Sequence, residues 1–327
     1  MRALHAYARS DPSRLVLEEA PLPALGPGDV LVRVHASGVS PGELDWGKTW
    51  VNRDGTPRTP PIVPGHEVAG VVETIGRDPA GLAVGDEVFG YIDNHRDGAD
   101  AEYVAVRADE LVSKPATLTH AEAAAVPLSA LTAWQAFFVH GGLERGQRVL
   151  VHGGAGGVGS FAVQLARWRG ALVTATSSGR DADLVRELGA DKVIDYRTQR
   201  FEDTVSDQDL VFDTVGGETW ERSWDVLRRP GGRLVSIAVP RPPEREADDR
   251  RAIWFIVEMD REQLREIGQL IDARLVRPIV SDVLPLDRGI EAYGPDRQRH
   301  GPGKVVLLVA GDAKGSVTLR GTAATVG

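Results

Sequence analysis

An apolar run that empties without a spacer into clustered glycines constrains this chain more than any other feature. Arg148 to Gly159 reads RVLVHGGAGGVG, with Gly154, Gly156 and Gly159 at GxGxxG spacing. Val149 to Val151 are consecutive apolar residues, as expected of a parallel strand covered on both faces. Val158, Ala162, Val163, Leu165 and Ala166 then recur at helical spacing, with small residues where a helix would press on a sheet. A second strand is predicted over Ala171 to Thr176. In such a βαβ unit one glycine makes a tight turn, one lets backbone N–H groups approach a pyrophosphate, and one lets the helix pack closely on the strand. The helix N-terminus then faces the anion. Gly154, Ala155, Gly156, Gly157, Val158 and Gly159 are therefore the candidate dinucleotide loop.

A unit built for NAD places an Asp or Glu at the end of its second strand, about 20 residues past the first glycine, to hold the ribose 2′-OH. Here Thr176, Ser177 and Ser178 stand there, followed by Arg180. Two hydroxyls and a planar guanidinium suit a 2′-phosphate. The expected cofactor is NADP(H), with Ser177, Ser178 and Arg180 at its phosphate.

The rest of the chain narrows the function by exclusion. A net charge of −9 over 327 residues argues against a general nucleic-acid surface. No stretch approaches the roughly 20 apolar residues of a membrane span, and the opening MRALHAYARSDP lacks the apolar centre of a signal peptide. No membrane association and a cytoplasmic location are expected. There is no cysteine, which removes disulfides, iron–sulfur clusters, thiolate nucleophiles and thiolate-ligated zinc.

The texture changes along the chain. Short β-rich runs such as Val30 to His35 and Val68 to Ile75, separated by Pro and Gly clusters, predict a β-barrel-like first third. From Thr119 the chain turns helical, with Thr119 as N-cap and Glu122 at N3. Lys192 to Asp195, Leu210 to Asp213 and Leu234 to Ile237 are strand candidates. They alternate with amphipathic segments such as Ala182 to Leu188, stopped by Gly189, which is the pattern of a doubly wound parallel sheet. Ile253 to Met259 is a further predicted strand, followed by a helix with Leu264, Ile267, Leu270 and Ile271 on one face. After Pro278 the β texture returns, ending in Lys304 to Val309, and residues 311–327 are expected to form a loose tail. Gly47 to Pro61 and Arg241 to Arg251 read as long polar loops beside a cleft.

Four motifs occur in a fixed order: Gly65-His66-Glu67-Val68-Ala69-Gly70, Gly85-Asp86-Glu87-Val88, Ala155-Gly156-Gly157-Val158-Gly159, and Val211-Phe212-Asp213-Thr214-Val215-Gly216-Gly217. In them the chain, to about Val309, resembles the medium-chain dehydrogenase/reductases, most closely their zinc-free quinone oxidoreductase (zeta-crystallin-like) branch. The resemblance implies an α/β fold: a Rossmann doubly wound parallel sheet over 122–276, inserted in a GroES-like β-barrel catalytic domain formed by 1–121 and 277–327. Zinc alcohol dehydrogenases of that superfamily hold their metal with a Cys, the His of the GHE motif, and a second Cys or an acid. Here His66 remains, while the Cys positions fall at Ser40 and near Leu128, so no metal is expected.

The implied activity is hydride transfer from NADPH to a quinone or to the β-carbon of an α,β-unsaturated carbonyl. Such acceptors need little activation because charge delocalises onto an oxygen, and the fold supplies alignment and a hydrogen bond. The resemblance places Thr132 near the nicotinamide ribose, Tyr196 near the adenine-side phosphate, and Val215, Ile237 and Ala238 beneath the cofactor. Ser40 matches a polar position beside the nicotinamide, and Tyr91 offers a phenol as acid. Trp46, Trp50, Trp254, Phe255 and His66 are candidates for the substrate pocket. A homodimer is expected, with the strand beginning at Ile253 pairing across a two-fold axis. Two other readings stay open: an alcohol dehydrogenase whose unusual metal site uses His66, Glu67 and another carboxylate, and a catalytically idle NADPH-binding protein.

Overall fold

The computed structural model describes residues 1–40, 42–77, 81–238, 240–294 and 301–309; the expected tail lies outside them. Two seven-stranded sheets carry the fold. In the first, five short strands in the middle of the chain run parallel in the order Lys192–Asp195, Leu172–Ser177, Arg148–Val151, Leu210–Asp213, Arg233–Ser236, and Arg250–Trp254 extends them as a sixth. Counted along the chain this is 3-2-1-4-5-6, the Rossmann order, whose direction of travel reverses between Arg148–Val151 and Leu210–Asp213. Ligands bind at that reversal, outside the carboxyl ends of the strands.

The second sheet takes strands from both ends of the chain. Asp29–Val39 is its 11-residue spine, and it pairs with Glu67–Ile75, with Tyr103–Arg107 and with Lys304–Leu308, beyond which lies Val280–Pro285. Register shifts between Leu31 and Val32 and between Val34 and Ala36 mark bulges that bend the spine. Bent in this way, one strand serves two neighbours on the same side: Asp29–Arg33 pairs with Tyr103–Arg107, and Ala36–Val39 pairs with the returning C-terminal strand. The chain therefore enters and leaves this sheet around the Rossmann unit, as the sequence predicts.

The junction is helical. Thr119 caps His120–Ala124 in a full capping box with Glu122. The alanine-rich run does not continue as one helix: Pro127 starts a new one, Pro127–Trp134, which passes into a π-helical turn over Gln135–Gly141. Helix Arg261–Asp272 buries Leu264, Ile267, Gly268, Leu270 and Ile271. It also ties the two sheets, through Arg261 Nε to the Leu111 carbonyl at 3.0 Å and the Asp272 carboxylate to the Thr117 N–H at 3.0 Å.

One strand differs from expectation. The strand is Arg250–Trp254, not Ile253–Met259, and it does not form the sheet edge. The segment read as a polar loop instead folds back as Arg245–Ala247, antiparallel to it, through a two-residue turn at Asp248 and Asp249 with φ of 55° and 59°. Positive φ at both turn residues is the I′ geometry that suits a twisted hairpin. The charged strand Arg245–Ala247, all of it exposed, is thus the outer edge.

Candidate active site

The glycine run folds as predicted, with one displacement. The tight turn falls on Gly153, whose φ of 74° is left-handed. A Cβ on Gly154 would stand 2.9 Å from the Ala175 methyl, and one on Gly159 only 2.0 Å from the Gly153 carbonyl oxygen. Only glycine there lets helix Gly157–Arg169 begin against the strand ends. Gly156 caps that helix and has nothing nearer its Cβ position than the Gly153 oxygen at 3.4 Å. The first N–H groups of the helix have no intrahelical partner, and Gly156 to Gly159 border the cleft, which is an anion cradle of the kind a dinucleotide pyrophosphate fits.

A cleft of about 990 Å³ opens beside this cradle, large enough for cofactor and substrate groups together. Of the residues expected at the site, Thr132, Gly156, Gly157, Val158, Gly159, Ile237, Ser40, Trp46, Tyr91, Trp254 and Phe255 line it. The Trp254 ring is fixed by Nε1 donating to the Ala238 carbonyl at 2.9 Å, and Phe255 packs on His140 with ring centroids 4.4 Å apart. Thr132 Oγ1 donates back to the Leu128 carbonyl at 2.6 Å. Gly154, Ala155 and Ala238 lie behind the lining, and Val215 is 55% exposed at the end of its strand, with its N–H on Asp213 Oδ1 at 2.9 Å.

The predicted phosphate residues gather at the ends of Leu172–Ser177 and Lys192–Asp195, where the Tyr196 N–H donates to the Ser177 carbonyl at 3.2 Å. Ser177 and Ser178 are buried, while Tyr196 is exposed with the Arg197 guanidinium 5.8 Å from its ring centre. The structure adds an acid that the strand-end count passes over. Asp181 turns back to accept from Ser178 Oγ at 2.6 Å and from Arg180 Nε at 3.3 Å.

Two expected pocket residues do not reach the cleft. Trp50 turns into the barrel core with Nε1 on the Leu44 carbonyl at 2.8 Å. His66 is buried with both ring nitrogens engaged, Nδ1 by the Glu43 carboxylate and Nε2 by the Arg96 carbonyl at 3.3 Å. Glu43 Oε1 also accepts from the N–H groups of Gly65 at 2.8 Å and His66 at 3.1 Å. Tyr293 closes the group, its hydroxyl donating to Asp100 Oδ2 at 2.7 Å. Burial, then the charge of Glu43, pushes Asp100 up to about 7. Burial works against charge on His66, yet the Glu43 carboxylate outweighs it and raises the ring's pKa.

The next residue belongs to a different group. Glu67, Ser40 and Lys304 form a buried triangle: Lys304 Nζ donates to Ser40 Oγ at 2.8 Å, and Glu67 Oε2 accepts from the Lys304 ammonium and from Ser40 Oγ at 3.2 Å. Glu67 Oε1 takes the Leu128 N–H at 3.0 Å. Two glycines make the triangle possible. A Cβ on Gly38 would meet the Ala124 carbonyl oxygen at 2.3 Å and Glu67 Cβ at 3.0 Å, so glycine lets the helix end approach Glu67. Gly303, at φ 77°, donates its N–H to the Ala155 carbonyl at 2.8 Å and so sets Lys304 beside the glycine cradle. Ser40 and Lys304 line the cleft. The sequence points to Ser40 as a site residue but to Lys304 only as the start of a strand, and it does not single out Gly153.

Zinc does not fit these donors. Ser40 offers a neutral hydroxyl already bonded to an ammonium, Leu128 offers only an N–H, and both nitrogens of His66 are taken. The set of His66, Glu67 and another carboxylate is not assembled either: among the described residues no group of three His, Asp or Glu side chains could hold a metal ion. Tyr91 lines the cleft with its hydroxyl donating to Asn94 Oδ1 at 3.1 Å and accepting from Nδ2 at 2.9 Å. Burial raises its phenol far above the usual range, outweighing Asn94, so it keeps its proton.

Comparison with known proteins identifies the family and the fold. The alcohol dehydrogenase GroES-like domain family matches residues 26–116, and the zinc-binding dehydrogenase family matches 188–307. The chain is 32% identical to the mitochondrial NAD(P)H oxidoreductase RTN4IP1 of Danio rerio, over 94% of this chain and 90% of that protein. It is 33% identical to the chloroplastic NADPH-dependent alkenal/one oxidoreductase of Arabidopsis thaliana, over 88% and 73%. The quinone oxidoreductase structure from Coxiella burnetii superposes with a TM-score of 0.84 at 28% identity, covering 95% of this chain and 99% of that one. The chain belongs to the medium-chain dehydrogenase/reductase superfamily, in its quinone oxidoreductase branch. Two of these relatives are named for organelles, so they lend no support to a cytoplasmic location. No helix among the described residues is long and apolar enough to cross a membrane.

Proposed function

We propose that this chain reduces quinones or α,β-unsaturated carbonyls with NADPH, without a metal. The observation that carries the reading is the placement of one polar corner, Ser40 with Lys304, in an aromatic-walled cleft directly beside the glycine cradle. The cradle over Gly156–Gly159 holds the pyrophosphate, and Thr132 and Ile237 flank the nicotinamide end. When bound, the reduced nicotinamide supplies a hydride to an electrophilic carbon. The protein's own task is then to hold the acceptor flat between Trp46, Trp254 and Phe255, keep water out, and offer Ser40 to the oxygen where charge collects. Tyr91, locked to Asn94, shapes the wall and orients the acceptor.

The preference for NADPH is supported by Ser178, Arg180, Tyr196 and Arg197 beyond two adjacent strand ends and opposed by Asp181, which must release Ser178 and Arg180 to the 2′-phosphate. Arg180→Ala is expected to weaken NADPH binding about tenfold, about 1.4 kcal/mol, and to leave NADH binding unchanged in a titration of tryptophan fluorescence. We also propose a homodimer through the outer edge of Arg245–Ala247. The residues flanking a two-residue turn exchange hydrogen bonds with each other, which leaves the Glu246 N–H pointing outward. Glu246→Pro is expected to convert a dimer to monomer in sedimentation velocity.

The experiment that tests the function measures NADPH oxidation with a benzoquinone, a naphthoquinone and an alkenal, and NADP⁺ reduction with a simple alcohol. Turnover of the first three supports the reading. Activity confined to the alcohol, or nucleotide binding with no turnover across the panel, sinks it.

A further inference from the structure

The Ser40, Glu67 and Lys304 triangle sets a lysine ammonium, paired with a carboxylate, where the cleft meets the nucleotide loop. Lys304 is 5% exposed, Glu67 1% and Ser40 3%. A buried ion pair that only braced the fold would gain nothing from opening onto a ligand cleft through a hydroxyl. Each atom here has a fixed partner: Glu67 Oε1 is held by the Leu128 N–H at 3.0 Å, and Lys304 is carried in by Gly303 on the Ala155 carbonyl at 2.8 Å. A Cβ on Gly157 would stand 3.0 Å from Lys304 Cδ, so the lysine stem also packs on the start of the nucleotide-loop helix. The Ser40 hydroxyl accepts from Lys304 at 2.8 Å and gives its own proton, on a freely rotating O–H, to Glu67 at a long 3.2 Å. A weakly committed proton backed by an ammonium is a charge-assisted donor awaiting a better acceptor.

We propose that Lys304 is a positioning residue for the reduction, polarising Ser40 so that its O–H turns from Glu67 to the acceptor's oxygen. The inference rests on the functional reading above. As the acceptor carbon gains a hydride with its electron pair and is reduced, at the expense of the dihydronicotinamide, negative charge develops on the acceptor oxygen. The Ser40 O–H bond breaks and an O–H bond forms on the acceptor, which for an enone gives the enol that tautomerises in water to the saturated ketone. A proton passes from Lys304 Nζ to Ser40 Oγ, leaving a neutral amine beside the Glu67 carboxylate, and water returns that proton after the product leaves. A lysine thereby serves the acceptor oxygen as a Lewis acid would, by charge stabilisation in a water-poor site.

The test compares two acceptors that differ in how much help their oxygen needs: an alkenone, which needs a donor, and 1,4-benzoquinone, which needs little. Lys304→Met is expected to lower kcat for the enone roughly a hundredfold, the usual scale for removing such a donor, and the benzoquinone rate far less. The NADPH dissociation constant, read by tryptophan fluorescence quenching, stays unchanged, and the solvent deuterium isotope effect on enone turnover changes. Lys304→Arg restores most of the enone rate. Because Lys304→Met leaves Glu67 as an unpaired buried charge, the double variant Lys304→Met with Glu67→Gln guards against a folding artefact and is expected to lose the enone rate to the same extent. Equal loss for both acceptors, a wild-type enone rate in the double variant, or an effect confined to NADPH affinity overturns the proposal while leaving the functional reading intact. A wild-type protein inert toward both acceptors overturns that reading, and the proposal with it.

Discussion

His66 and Glu67 are consecutive residues with opposite surroundings. His66 enters a sealed group with Glu43, Asp100 and Tyr293, in which Glu43 Oε1 alone accepts from two backbone N–H groups and a ring nitrogen. Glu67 enters an open group, in which Ser40 and Lys304 face the cleft. Both contain a carboxylate paired with a basic nitrogen under nearly complete burial, so burial and ion-pair partners by themselves do not mark a site. The difference is whether a hydroxyl is left with a loosely held proton and somewhere to point it. A sealed pair braces the barrel; an open one can serve a ligand.

The comparison breaks most readily at His66. Replacing it with Ala strands the Glu43 charge in the interior, and such a loss costs about 3 kcal/mol or more. Urea denaturation should show that drop, while the protein that remains folded turns over an enone at close to the wild-type rate. A selective loss of kcat with normal stability would move His66 into the site and erase the distinction. Ser40→Ala should do the reverse: enone turnover falls roughly a hundredfold, about 2.7 kcal/mol of barrier, with a urea midpoint that drops far less than in His66→Ala.

The smallest effect concerns pH. Asp100, pushed up to about 7 from an ordinary value of 3.8, is favoured by the fold in its protonated form. Its contribution is fully present below the unfolded value and is lost as pH rises through about 7. Asp100→Asn keeps an acceptor for the Tyr293 hydroxyl but cannot ionise. The stability of this variant between pH 4 and 8 should therefore be flatter than that of the wild type in denaturation curves. An identical pH dependence in the two proteins would show that the sealed group admits charge freely.

Much of the fold was legible because its signals are local. The glycine spacing, the Thr119 and Glu122 box and the apolar strand runs each act within a few residues, and the parallel strands follow from them. The hairpin at Arg245–Trp254 escaped because its I′ turn is built on Asp248 and Asp249 rather than on the Asn-Gly or Asp-Gly pairs that advertise one. Asp181 escaped because a strand-end count does not say which way a side chain three residues beyond Ser178 turns. The site was half legible. Ser40 could be placed by its position in a motif, but Lys304 lies 264 residues from it and meets it only because the last strand returns to pair with the first long one. Position in a sequence does not carry that distance; the glycine before Lys304, needed for a positive φ, was the one local hint.

Hydride delivery to the β-carbon of a conjugated acceptor is distinguished from alcohol chemistry by following the hydride itself. With NADPH deuterated at the transferable C4 position and a simple enone, deuterium is expected on the β-carbon of a saturated ketone, located by NMR of the product. Deuterium on the carbonyl carbon of an allylic alcohol would contradict it and assign the chain to alcohol and carbonyl interconversion instead.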